Sequence, residues 1–484
     1  MKKFLSIVLI CVVSFCFVGC KKESAQLANY DILVELTDDM QLSGSVEYEF
    51  YCDKDDMSAI YFTLYQNSFD NHGENIVVYE EDKCLAYPNG ESYGNITIFS
   101  VKVNGNDAEF IVDGKYKETL KVGFDKTLKP NEKVSVFITF SVKLPNINHR
   151  FGYGNDTVNL TNFYPIACVY DGKNFYQNTY SKNGDPFYSE CANYNLKLTL
   201  PSSYVVASSL DCTGILWNEN CTTYTYKRDN VRDIALIASK KFNVLEENYN
   251  GVKVKYYYYN DLEPENSLKY AGDSLNYFSN KYKKYEYNEY VVAQANFLYG
   301  GMEYPCLSMV ADNLTGDNNY YTIVHETAHQ WFYAMLGVNE SESGYLDEGL
   351  TELSTILYLD KCDSYNKSYS ELLSKTKQNY SLMRKALTQA GNKIPPIMER
   401  NLNDFSSELE YVTLCYNRSE IMFSDLLDFM GEKKFFKAIG ELFDKYSYKN
   451  ITTENLKNTC EKHKKGAKSL INSYLDGTKV INTN

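Results

Sequence analysis

The chain has 484 residues, with 49 basic and 63 acidic side chains for a formal charge of −14, and 44% of it is hydrophobic. That length gives two or three domains with sizeable cores, and the composition excludes a disordered or collagen-like chain. An acidic balance with no run of five or six basic residues excludes nucleic acid as a partner, because phosphate binding needs clustered positive charge.

The first predicted element is an export signal over 1–20. Met1-Lys2-Lys3 is a short positive start, and 4–18 is an apolar run without charge. It is shorter than the about 20 residues a spanning helix needs. The run closes on Phe17-Val18-Gly19-Cys20, which resembles the lipobox of bacterial lipoproteins. That resemblance implies lipidation of Cys20 and a protein anchored at the cell envelope, with 21–29 as linker. Setting aside Cys11, Cys16 and Cys20 leaves ten of the 13 cysteines, an even number in an oxidation-permissive compartment. Pairing is open: Cys212 and Cys221 flank a hairpin-like stretch, as a disulfide or as free thiols.

Over 30–245 short β-branched and aromatic runs alternate with turn residues, and strands are expected at 31–36, 44–51, 96–103, 133–144, 194–200 and 233–238. Asn104-Gly105 after the third of these is a hairpin signal. This part reads as an antiparallel β-sandwich or saddle. A further strand at 252–259 precedes Pro264 and a helical pattern through Leu268, Ala271, Leu275 and Phe278. Residues 290–298 read as a strand able to pair with a peptide backbone. Helices are then expected at 319–336, 347–361, 367–390, 417–429, 432–446 and 453–475, with Gly337 ending the first. The expected division is 246–450 for a mainly helical catalytic domain and 451–484 for a short helical segment. No feature of the sequence sets an oligomeric state.

Two of the five histidines lie four apart, in His325-Glu326-Thr327-Ala328-His329. On a helix this spacing puts both imidazoles on one face, able to hold one ion, while Glu326 lies beside them, placed to take a proton without ligating. Glu348 follows His329 after eighteen residues, in the first turn of the next expected helix. Two histidines and one glutamate leave a fourth position for water, as at a catalytic zinc site. Glu352, one turn on, can orient an imidazole.

His-Glu-x-x-His, eighteen residues and Glu form the signature of the gluzincin metallopeptidases, and the surroundings are similar to the zinc aminopeptidases related to aminopeptidase N and leukotriene hydrolase. Gly300-Gly301-Met302-Glu303-Tyr304 looks like their Gly-x-Met-Glu-Asn motif, with Tyr304 in place of Asn. The resemblance implies a thermolysin-like catalytic domain with a small mixed sheet and one zinc ion held by His325, His329 and Glu348. It makes Glu303 the anchor for the substrate's free α-amino group, with Gly300, Gly301 and Met302 along the peptide. Tyr416-Asn417-Arg418-Ser419 is similar to the family's Tyr-x-Lys-Gly segment, so Tyr416 is expected to steady the oxyanion, with Tyr411 as runner-up. Weaker likenesses lie at Asn162-Phe163-Tyr164-Pro165, at 184–188 and at 231–239. The expected activity is aminopeptidase cleavage of peptides with a free N-terminus, in a cleft more open than in larger members. An endopeptidase of the same fold and a catalytically inactive peptide-binding surface lipoprotein are the competing readings.

Overall fold

The computed structural model describes residues 27–52, 57–391 and 395–481, so the signal and Cys20 lie outside the described residues. Alternation builds the first half. In Ala28–Leu36, Tyr30, Ile32, Val34 and Leu36 point inward while Asp31, Leu33 and Glu35 face out. Lys133–Lys143 repeats the pattern with Val134, Val136, Ile138, Phe140 and Val142. These strands belong to an eight-stranded, largely antiparallel sheet, accompanied by two four-stranded sheets. Asn104 and Gly105 both have positive φ, 50° and 84°, as a two-residue turn between Val103 and Asn106 requires.

The second half contains a five-stranded mixed sheet. Its order is Asn243–Tyr249, Val252–Tyr258, Glu289–Ala295, Leu307–Ala311 and Gly301–Met302, so the sheet begins slightly before residue 246. Glu289–Ala295 pairs in parallel on both sides, with Val252–Tyr258 and with Leu307–Ala311. It is almost wholly buried, as a central parallel strand must be. The expectation that 290–298 pairs with a peptide is therefore corrected: both its edges are taken, and the edge strand is Gly301–Met302.

Helices α1 (Pro264–Lys281), α2 (Gly316–Ala328), α3 (Tyr345–Leu359) and α4 (Ser419–Met430) surround the site. Helix α2 stops eight residues short of the expected 336. His329 caps it, and Tyr333 adopts φ 144°, a conformation incompatible with a continuing helix. The apolar run Trp331-Phe332-Tyr333-Ala334-Met335 is buried all round, which mimics a helical core pattern. The turn is held by Arg232 from the first half, whose Nε donates to Tyr333 O at 3.0 Å and whose Nη1 donates to Ser189 O at 2.6 Å. Gly337 is not a helix cap but part of a two-residue strand, where a side chain would overlap the Arg232 guanidinium. The expected helix 453–475 breaks at Gly466, φ 94°, into Thr453–His463 and Ala467–Leu475. Cys212 and Cys221 are unpaired; they lie opposite Tyr226 and Pro201 in different rungs of the large sheet.

Candidate active site

His325 occupies the last turn of α2 and His329 its C-cap, so the helical pitch stacks the two rings on one face. Their Nε2 atoms are 3.1 Å apart. Glu348, in the first turn of α3, brings Oε2 to 3.3 Å from His325 Nε2 and 3.4 Å from His329 Nε2. A tetrahedral ion with bonds of about 2.0–2.1 Å separates its ligand atoms by about 3.3–3.4 Å, so this buried triangle fits one face of its coordination shell. Glu348 Oε2 has no hydrogen-bond donor, so a cation held at this triangle would give it a partner. Burial pushes the Glu348 carboxyl up, but the facing His329 and His325 rings outweigh it and hold it at about 2.

His329 is oriented by a hydrogen bond from behind, and His325 faces a carboxylate there. His329 Nδ1 donates to Phe332 O at 2.9 Å, which turns Nε2 toward Glu348 and explains the tight turn after α2. Glu352 Oε1 lies 3.5 Å from His325 Nδ1, and its other oxygen accepts from the Tyr321 hydroxyl. Glu352 thus sits where its spacing from Glu348 placed it.

Glu326 is 4% exposed and does not join the triangle. Its carboxylate packs against the backbone of Gly301, where a Cβ would overlap it, so the edge strand and the acid are in direct contact. Burial, reinforced by Glu348 and Asp185 and opposed by both histidines, pushes its carboxyl up to about 7. Met302 is buried beside it and Gly300 accepts from Ala311 N at 2.9 Å. Glu303 is 3% exposed, and its Oε1 has no hydrogen-bond partner. Burial first, then Asp185, raises its carboxyl well above the usual range. Tyr304, where the motif has Asn, donates to Asn162 Oδ1 at 3.3 Å and so ties the motif to the β half.

Tyr416 lies in a π-helical stretch, Val412–Arg418, that runs between Glu408–Tyr411 and α4 in one continuous helix. Such insertions recur at functional sites. The Tyr416 hydroxyl donates to Glu348 Oε1 at 2.6 Å, and its ring stacks 6.0 Å from His325. Tyr411 instead presses its hydroxyl against Gly184 and Gly344.

Spacing and motif assign no role to Asp185 and Arg150, yet both stand at the site. Asp185, Glu303 and Glu348 bring carboxylate oxygens within 4.8 Å of one another, and Arg150 pairs with Asp185. The one signal in the sequence is the weak likeness at 184–188, to which no chemistry attaches. A cavity of about 390 Å³ opens over the site, lined among others by Asp185, Tyr299, Gly301, Glu326, Tyr411 and Tyr416.

Residues 266–476 match the peptidase family M1 domain. Leucine aminopeptidase 2-1 of Meyerozyma guilliermondii is 28% identical over 176 residues, 35% of this chain and 28% of that protein. Aminopeptidase M1-B of Oryza sativa subsp. japonica is 24% identical over 287 residues, 55% of this chain and 32% of that protein. Leukotriene A-4 hydrolase of Xenopus laevis is 25% identical over 211 residues, 41% of this chain and 32% of that protein. The chain thus spans about a third or less of the length of these relatives. The fold matches an M1 zinc metallopeptidase from Deinococcus radiodurans with a TM-score of 0.67 at 15% identity, covering 95% of each chain.

Proposed function

We propose, from the premise that this chain carries a peptidase family M1 domain over 266–476, that it is a zinc-dependent aminopeptidase acting on peptides with a free N-terminus. The observation that carries this reading is the meeting, in one buried cluster, of the His325–His329–Glu348 triangle with a Glu303 carboxylate lacking a partner at Oε1. One zinc ion would be held by those three residues, and when bound it supplies Lewis-acid activation of water and of the scissile carbonyl.

The protein's own groups do the rest. Glu326 accepts the proton of the attacking water and passes it to the leaving amine, held in place by the Gly301 backbone. The edge strand Gly301–Met302 can pair with the peptide main chain. Glu303, with Asp185 beside it, binds the α-ammonium. A buried carboxylate is stabilised by a cation and left unsatisfied by an acetylated terminus. Peptides with free N-termini are therefore expected to be cleaved with kcat/KM about 100-fold above their N-acetylated counterparts, a gap that Glu303→Ala narrows. Equal cleavage of free and blocked peptides, measured by chromatography of the products, would make the protein an endopeptidase.

Tyr416 is placed to steady the developing oxyanion by turning its hydroxyl from Glu348 toward the carbonyl. Tyr416→Phe is expected to lower kcat by about 10²- to 10³-fold with KM little changed. If the phenol served only to hold Glu348, the variant would instead lose zinc affinity, which titration with a metal indicator reads directly.

Export, with Cys20 as the lipidated residue, is part of the same reading and rests on residues 1–20 alone. Among the described residues no helix is long and apolar enough to cross a membrane.

A further inference from the structure

Besides the groups that face the triangle, the catalytic cavity is lined by Leu298, Tyr299, Lys182, Glu408 and Val412. With the α-ammonium at Glu303 and Asp185 and the scissile carbonyl at the triangle, the side chain of the first substrate residue enters this same cavity. Of these five residues Leu298, Tyr299 and Val412 are apolar or aromatic, and Lys182 and Glu408 carry charge. Glu408 opens the short helix Glu408–Tyr411 that leads into the Tyr416 segment, and it is only partly exposed.

No hydrogen bond or ion pair reaches the Glu408 carboxylate among the described residues. Neither of the two basic side chains that line the cavity, Arg150 and Lys182, forms an ion pair with Glu408. Arg150 is paired with Asp185, and Lys182 stands 4.6 Å over the ring of Tyr79. Burial, then the charges of Asp82 and Glu81, pushes the Glu408 carboxyl above its ordinary range, so the surroundings add negative potential instead of relieving it. Tyr299 adds an aromatic wall whose buried hydroxyl has no partner. A half-buried carboxylate in the lining of a substrate cavity discriminates strongly. A neutral aliphatic residue would desolvate it without compensation, while an ammonium or guanidinium forms a charge-assisted hydrogen bond.

We infer that Glu408 selects cationic first residues, so that the substrates are peptides beginning with lysine or arginine. The inference deepens the aminopeptidase reading and rests on it. Isosteric pairs separate charge from size: lysyl against norleucyl, and arginyl against citrullinyl, as fluorogenic amides assayed on the full-length zinc-loaded protein.

The wild-type protein is expected to favour the charged member of each pair by about 10- to 100-fold in kcat/KM, and Glu408→Gln to collapse that ratio toward one. Reading the ratio within one variant keeps the test independent of how much of that variant is folded, since norleucyl turnover reports the active fraction. Glu408→Lys is expected to invert the preference toward glutamyl over glutaminyl amides. A wild-type ratio near one, or a ratio unchanged by Glu408→Gln, overturns the assignment while leaving the aminopeptidase reading in place. Cleavage of N-acetylated peptides with no turnover of any free aminoacyl amide overturns both.

Discussion

Glu326→Gln is expected to lower kcat by about 10²- to 10⁴-fold, the range that a positioned proton-transfer group contributes. The substitution is close to isosteric, and the side chain contacts the Gly301 backbone without ligating the triangle, so zinc content and fold are expected to persist. The loss should fall on kcat and kcat/KM together, because proton transfer is needed in the transition state and not for ground-state binding. Single-turnover kinetics with metal analysis of the same sample provide the check. A variant with one zinc per chain and undiminished kcat would remove Glu326 from the mechanism.

Loss of a ligand acts on binding of the ion itself. Glu348→Gln removes the anionic corner of the triangle, where Oε2 faces both imidazoles at 3.3 and 3.4 Å. Disturbing a group that merely orients a ligand costs about 10- to 100-fold in metal affinity, and removal of a charged ligand is expected to cost more. The thermal readout is sharp. Zinc at 100 times its Kd stabilises the native state by about 2.7 kcal/mol, so the wild-type protein should melt several degrees higher with zinc than after chelation. Glu348→Gln should show little of that difference at the same zinc concentration. Retention of wild-type zinc affinity would place the ion elsewhere. Because Tyr416 donates to the other oxygen of Glu348, the variant is also expected to free its hydroxyl, coupling the two substitutions in a double-mutant cycle.

Much of the site is legible in the residue spacing over 290–352. The four residues from His325 to His329 put both on one face of α2, the eighteen that follow carry the chain round to Glu348 in the first turn of α3, and Glu352 follows one turn later. Boundaries are less legible. The run after His329 is apolar enough to extend a helix, yet Arg232, a hundred residues earlier, holds the chain in a turn through Tyr333 O. Residues 290–298 have the composition of a strand but not the exposure to meet a peptide, since Val252–Tyr258 and Leu307–Ala311 occupy both edges. The π-helical stretch at Val412–Arg418 has no local spacing signal that distinguishes it from a helix start.

The pairing of the two imidazoles is local: a helix repeats every 3.6 residues, so spacing alone puts them on one face, while Glu348 reaches them from the next helix. The shape and charge of the cleft are not local. Asp185 and Arg150 come from the β half, Glu303 from a loop beside an edge strand, and Glu408 from the segment before Tyr416, and they meet only because the sheets and helices pack around one continuous core. Which carboxylates end up paired, as Asp185 is with Arg150, and which are left facing the cavity depends on burial and on neighbours far apart in the chain. The histidine pair and the glutamate that follows it are therefore readable along the chain, whereas the surroundings of Glu303 and Glu408 follow from packing.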